Sequence, residues 1–155
     1  MVILASALLG LLIAMLMEYI LHRYYLHFTG KHTHIVNHHV LFRGDKSYSI
    51  LDSKYNDIVS GLSYIIVNMI PNMLMAWYLW PAYKMAATSL LTCGIVYTIW
   101  IESAHYLFHH PMDYAIEKNS YFLRLNEHHR IHHVVFKNNY GIGSTLIDHL
   151  FKTVE

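Results

Sequence analysis

Three long apolar stretches divide the 155-residue chain. The first, "MVILASALLGLLIAMLMEYIL" (1–21), carries one charge, Glu18, near its end. The second, "DIVSGLSYIIVNMIPNMLMAWYLW" (57–80), and the third, "MAATSLLTCGIVYTIWIESAHYLF" (85–108), are separated by a few residues around Pro81. Each approaches the roughly 20 apolar residues with which a helix crosses a bilayer. The pattern predicts three spanning helices in a single domain, 1–155. Stretch one lacks a basic leading segment and a small-residue cleavage site, so it reads as a spanning helix rather than a cleaved signal. Trp77, Tyr78, Trp80 and Tyr83 flank Pro81, as in an aromatic belt at a membrane surface, with Pro81 in a tight turn. Pro71 predicts a kink in the second span.

Composition agrees. Hydrophobic residues make up 55% and charged residues 14%, against roughly 25% charged in an average globular protein. The net charge of +1 provides no basic field for nucleic acid. Cys93 is the only cysteine, which excludes an internal disulfide framework and a cysteine-rich zinc site. Its apolar surroundings predict a small buried hydrophobe. Arg23, Lys31, Arg43, Lys46 and Lys54 follow the first span, and Lys118, Arg124, Arg130, Lys137 and Lys152 follow the third; only Lys84 lies between spans two and three. The positive-inside rule makes the basic side cytoplasmic and puts the N-terminus outside.

The 14 histidines change the picture most. All lie on the predicted cytoplasmic side or at that membrane edge, and all but His32, His128 and His149 fall in the groups "HRYYLH" (22–27), "HIVNHH" (34–39), "HYLFHH" (105–110) and "HRIHH" (129–133). On an α-helix, residues four apart share a face. His34 with His38, His105 with His109, and His129 with His133, His132 alongside, therefore make chelating pairs. His22 and His27, like His34 and His39, are five apart, which on a straight α-helix suits two neighbouring metals better than one. Ten imidazoles (His22, His27, His34, His38, His39, His105, His109, His129, His132 and His133) exceed the four to six ligands of a single ion and fit two. His32, His110 and His128 fall off the shared faces and read as outer partners or solvated groups; His149 is remote.

All-imidazole sites suit iron, zinc, copper or nickel. Glu18 and Glu102 lie about one turn from His22 and His105, where a carboxylate is expected to orient a ligand imidazole through its second nitrogen. Against a bilayer the substrate is apolar, and attack on an unactivated C–H bond requires redox chemistry with O₂. That favours iron over zinc, which has none and would enter only as a substitute.

At these residues the chain resembles the fatty acid hydroxylase / sterol desaturase superfamily of membrane di-iron oxygenases, most closely the fatty acid 2-hydroxylases. The boxes "HRYYLH", "HIVNHH" and "HRIHH" match its histidine pattern, and "HYLFHH" looks like the additional box of the 2-hydroxylases. "NYGIGSTLIDHLFKT" looks like their closing motif, G-x-G-x-S-x-x-x-D-x-x-F-x-T. The resemblance runs from 18 to 153. It implies the same ten histidines as ligands of two irons, a cap of cytosolic helices, O₂ activation, and electrons from a separate cytochrome b5 or ferredoxin. Many members have four spans and H-x-x-H-H where this sequence is expected to have three and has H-x-x-x-H-H, and no fused cytochrome b5 domain is expected. The short linker 40–57 is expected to leave the site more open.

The expected fold is therefore all-α: an integral membrane protein with about three transmembrane helices and a cytosolic His-rich helical cap. The expected function is hydroxylation of a lipid C–H bond, in the endoplasmic reticulum of a eukaryote or the inner membrane of a bacterium. Tyr64, Met69, Met73, Tyr97 and Trp100 are candidates to line a substrate tunnel or simply to pack. A lipid or sterol desaturase and a carotenoid hydroxylase remain open within the superfamily. A membrane metal transporter or a zinc-dependent hydrolase are the alternatives of another class.

Overall fold

A computed structural model describes residues 1–29, 32–42 and 61–155. Among them every regular element is helical: α1 (Val2–Ile20), α2 (Gly61–Leu79), α3 (Lys84–His109), α4 (Ser120–Val134) and α5 (Leu146–Phe151). Two π-helical segments, π1 (Leu21–Thr29) and π2 (His32–His39), and a short 3₁₀ turn (Ala115–Lys118) complete the set. Most of the linker expected over 40–57 lies outside the described residues.

Among the described residues, two helices are long and apolar enough to cross a membrane, Val2–Phe28 and Lys84–His109. The second expected span, 57–80, corresponds in its described part to α2, a 19-residue helix with Pro71 inside it. Proline removes one helical N–H, yet α2 continues for eight residues beyond it, to Leu79. The turn at Pro81 forms as expected, with Ala82 and Tyr83 donating to Leu79 O. Trp77, Tyr78, Trp80 and Tyr83 are all exposed around it. Cys93 is half-buried rather than buried.

Small residues let the long helices approach closely, as apolar helices without a strong hydrophobic drive between them require. A Cβ on Gly10 would stand 2.2 Å from Leu90 O, so α1 and α3 meet backbone to backbone there. Gly94 makes room for Asn72, whose amide also donates to Gly10 O at 3.2 Å. These contacts run α1 and α3 parallel, with α2 antiparallel to both.

At the opposite end from the Pro81 turn, α4 lies across α3. Phe122 and Leu125, three residues apart on one face of α4, join Ile101, Ala104, Phe108, Ala14, Tyr97 and Ile142 in the main core cluster. The same face continues through His128, His129, His132 and His133, all buried. One amphipathic stripe thus both anchors α4 and delivers its imidazoles inward.

Candidate metal centre

The ten histidines selected by spacing meet in two groups. His22, His27, His34, His39 and His132 form one; His38, His105, His109, His129 and His133 form the other. Within each group the five ligand atoms lie within 4.8 Å of one another. The groups abut: the rings of His39 and His133 are 4.2 Å apart and those of His34 and His38 are 5.1 Å apart. All the rings are buried except His27, which is half-buried.

The division differs from the α-helical reading. His22 and His27, five apart, face the same group, as do His34 and His39. His34 and His38, four apart, face different groups. The cause is the π-helical winding of both segments, in which hydrogen bonds run from residue i to i+5 and such residues sit one turn apart. The bond from Val40 N–H to Ile35 O, 2.9 Å, is of this kind. On the α-helical α4 the ordinary rule holds for His129 and His133, whose Nε2 atoms are 3.1 Å apart. His132 turns to the other group.

The nitrogen spacing fits a metal. In the first group Nε2 of His27 and His132 are 3.0 Å apart, those of His34 and His22 3.3 Å, and those of His39 and His34 3.2 Å. In the second, His109 lies 3.2 Å from His105 and 3.3 Å from His129. Two nitrogens on one ion at metal–nitrogen distances of about 2.0–2.1 Å are separated by roughly 2.9 to 3.4 Å between octahedral and tetrahedral geometry. His38 Nε2 is buried in the second group with no hydrogen-bond partner among the described residues. Each group can hold a metal ion.

Electrostatics point the same way. Burial, reinforced by neighbouring imidazoles, holds His34, His38, His39, His129, His132 and His133 below the usual histidine range. They are neutral at pH 7, the state a ligand imidazole needs.

Two second nitrogens are held by backbone carbonyls. His22 Nδ1 donates to Tyr140 O and His132 Nδ1 to Asn138 O, both at 2.6 Å. A carbonyl only accepts, so the proton sits on Nδ1 and the Nε2 lone pair faces the group. Asn139 between them takes the left-handed conformation, φ 58°, which asparagine tolerates.

Two buried carboxylates secure the loop that carries Tyr140. Asp148 accepts from the N–H groups of Tyr140 (2.9 Å) and Gly141 (2.7 Å), from Thr153 Oγ1 (2.7 Å) and from His128 Nε2 (3.1 Å). Glu18 accepts from Ile142 N–H (2.6 Å), Gly143 N–H (2.8 Å) and the Tyr97 hydroxyl (2.5 Å). The Gly143 carbonyl in turn receives Trp100 Nε1 and the Tyr121 hydroxyl, each at 3.1 Å.

Glu18 therefore braces the closing loop and, among the described residues, is not hydrogen-bonded to an imidazole. Glu102 is buried, but among the described residues both its oxygens and His105 Nδ1 lack hydrogen-bond partners, so the expected pairing is not made. His128 is buried on Asp148 instead of solvated. His110 is half-buried against Tyr106, with ring centroids 4.9 Å apart. His149 is exposed and bonds Thr145 O. The His32 side chain lies outside the described residues. Tyr97 and Trp100 support the loop, Tyr64 and Met69 are buried between helices, and Met73 points outward. Asp148, Asn138 and Asn139 escaped the spacing argument. The signal for Asp148 was the closing motif, which begins at Asn139; Asn138 lies just before it.

Apolar helices that end in two adjacent five-imidazole clusters fit a membrane-associated protein able to bind metal ions. The sequence matches the fatty acid hydroxylase family over residues 7–153, and the chain belongs to that family of hydroxylase and desaturase-type enzymes. Neither the curated proteins nor the solved structures include a significant match.

Proposed function

We propose that this protein is a membrane-bound di-iron hydroxylase that inserts one oxygen atom of O₂ into a lipid C–H bond. The observation that carries the reading is the pair of abutting clusters, five buried imidazoles each, at the ends of apolar helices. Iron held there supplies redox chemistry with O₂, which zinc in the same ligands would not. The balance is one C–H bond, O₂, two electrons and two protons giving the alcohol and water. A separate donor of cytochrome b5 or ferredoxin type brings the electrons.

The chain's own part is positional. Five histidines serve each ion, and the Asn138 and Tyr140 carbonyls fix the tautomers of His132 and His22. The core of α3 and α4 keeps water from the clusters, which limits side reactions. α2 serves as a third span beside α1 and α3. The clusters face the cytoplasm, in accord with the ten basic residues on that side.

The test is expression in a host of defined lipids, with lipidomics of wild type and His133→Ala. New hydroxylated lipids that require O₂ and vanish in the variant support the proposal, and a new double bond would assign desaturation instead. An unchanged lipid profile with folded, iron-loaded wild type removes it. So does stoichiometric zinc with activity that survives anaerobiosis.

A further inference from the structure

A line of polar side chains between α2 and the α1–α3 pair has no use in the metal centre. Asn72 touches Gly94 and bonds Gly10 O. One turn on, Thr98 Oγ1 approaches Met69 Sδ at 3.5 Å. The antiparallel register then brings Asn68 level with Thr98, and Tyr64 level with Glu102. Glu102 precedes His105 by one helical turn, so the line ends under the second histidine group.

These side chains are at most 7% exposed, and Asn68 and Asn72 are fully buried. Yet among the described residues Tyr64 Oη, both Asn68 amide atoms, Asn72 Oδ1 and both Glu102 oxygens have no hydrogen-bond partner. Buried polar groups are costly unless paired, and most are paired. A run of them between otherwise apolar helices marks a place where something else supplies the bonds.

We propose that Tyr64, Asn68 and Glu102 form a pocket for a hydroxyl group carried by the lipid substrate. This rests on the reading that a lipid is oxidised at the histidine clusters. The donor and acceptor pattern selects the group. Tyr64 and Asn68 offer N–H or O–H donors, while Asn68 and Glu102 offer acceptors, and a hydroxyl both donates and accepts. A carboxylate or phosphate would meet the Glu102 oxygens without a compensating cation. α1 and α2 contain no lysine or arginine, and α3 has only Lys84, at its far end. Because the pocket begins one turn from His105, it also acts as a ruler. The carbon attacked lies a fixed few bonds from the hydroxyl.

The test uses the full chain, metal-loaded, in nanodiscs without reductant. Octadecanol, octadecyl methyl ether, stearate and octadecylamine compete against a fluorescent lipid. Octadecanol should bind at least about 10-fold tighter than the ether, since a site built for a hydroxyl rejects analogues that cannot donate. In Tyr64→Phe and Asn68→Leu the ratio should fall toward one with bound metal unchanged. The ligand-free Asn68→Leu protein should melt no lower than wild type, because a lone buried amide has been removed. Equal binding of alcohol and ether by wild type overturns the proposal, as does preference for the amine or the acid. A ratio that survives both substitutions does so too. Because no turnover is needed, an alcohol preference without lipid oxidation would sink the hydroxylase reading and leave the pocket standing.

Discussion

The Tyr140 carbonyl accepts a hydrogen bond from His22 Nδ1 at 2.6 Å, joining residues 118 positions apart. With the matching bond from His132 to Asn138, it makes the first histidine group depend on the geometry of a loop near the C-terminus. That loop depends in turn on Asp148 and Glu18.

Asp148→Asn should loosen that geometry. The amide presents an N–H₂ group to a set of donors, so at least one of the bonds to Tyr140, Gly141, Thr153 and His128 is lost. Loss of a partner that orients ligands typically costs roughly 10–100-fold in metal affinity. Metal analysis of the purified variant should show one ion retained and the one at the first group weakened by about that factor. Equal weakening of both ions would contradict the assignment.

His128→Gln tests the same hub from the other side. The glutamine amide can still donate to Asp148, and His128 belongs to neither cluster. The variant should keep both ions, whereas His129→Gln should lose tight binding of one. Mass spectrometry of bound metal decides between them.

The π-helical winding predicts an unusual pattern of ligand substitutions. His34→Ala and His39→Ala should weaken the same ion, and their combination should leave the other tightly bound. His34→Ala with His38→Ala, only four apart, should weaken both. Each loss should exceed the roughly 10–100-fold typical of outer partners. Metal titration of the three single and two double variants distinguishes this from an α-helical register, which would pair His34 with His38.

Gly141→Ala should fail for steric reasons. The added Cβ would lie 2.1 Å from Ser144 O and 2.8 Å from Asp148 Oδ2. Overpacking of this kind costs on the order of 1–3 kcal/mol. Thermal unfolding in detergent should show a melting point several degrees lower, with partial loss of the first ion.

Metal-free protein should lose stability in acid. His34, His38, His39, His129, His132 and His133 are held neutral by burial, below the usual range. The unfolded chain takes up protons on them from about pH 6.5 downward, while the folded chain does not. Stability is thus fully present above pH 6.5 and falls as pH drops below it. Denaturation of chelator-treated protein between pH 8 and 5 should show a monotonic decline over the lower half of that range.

The histidine inventory and the helical class were legible in the sequence. Apolar runs of membrane length leave no economical structure but helix, since each segment must satisfy its own backbone. Ten imidazoles at spacings of three to five on one side of those helices had few ways not to converge. The sequence also contained the closing motif, though not the task of its aspartate. Asp148 acts through bonds to backbone N–H groups, which carry no residue identity.

Tertiary structure decided how the ten imidazoles divide. Spacing assumes one winding, and a five-residue gap on an α-helix points two side chains apart. The segments after α1 wind as π-helices, so His22 and His27 meet, and His34 and His38 part. Local residue preferences do not encode that winding. The reason is geometric: five nitrogens from three separate segments must close to within 4.8 Å of one another, and the backbone takes up the difference.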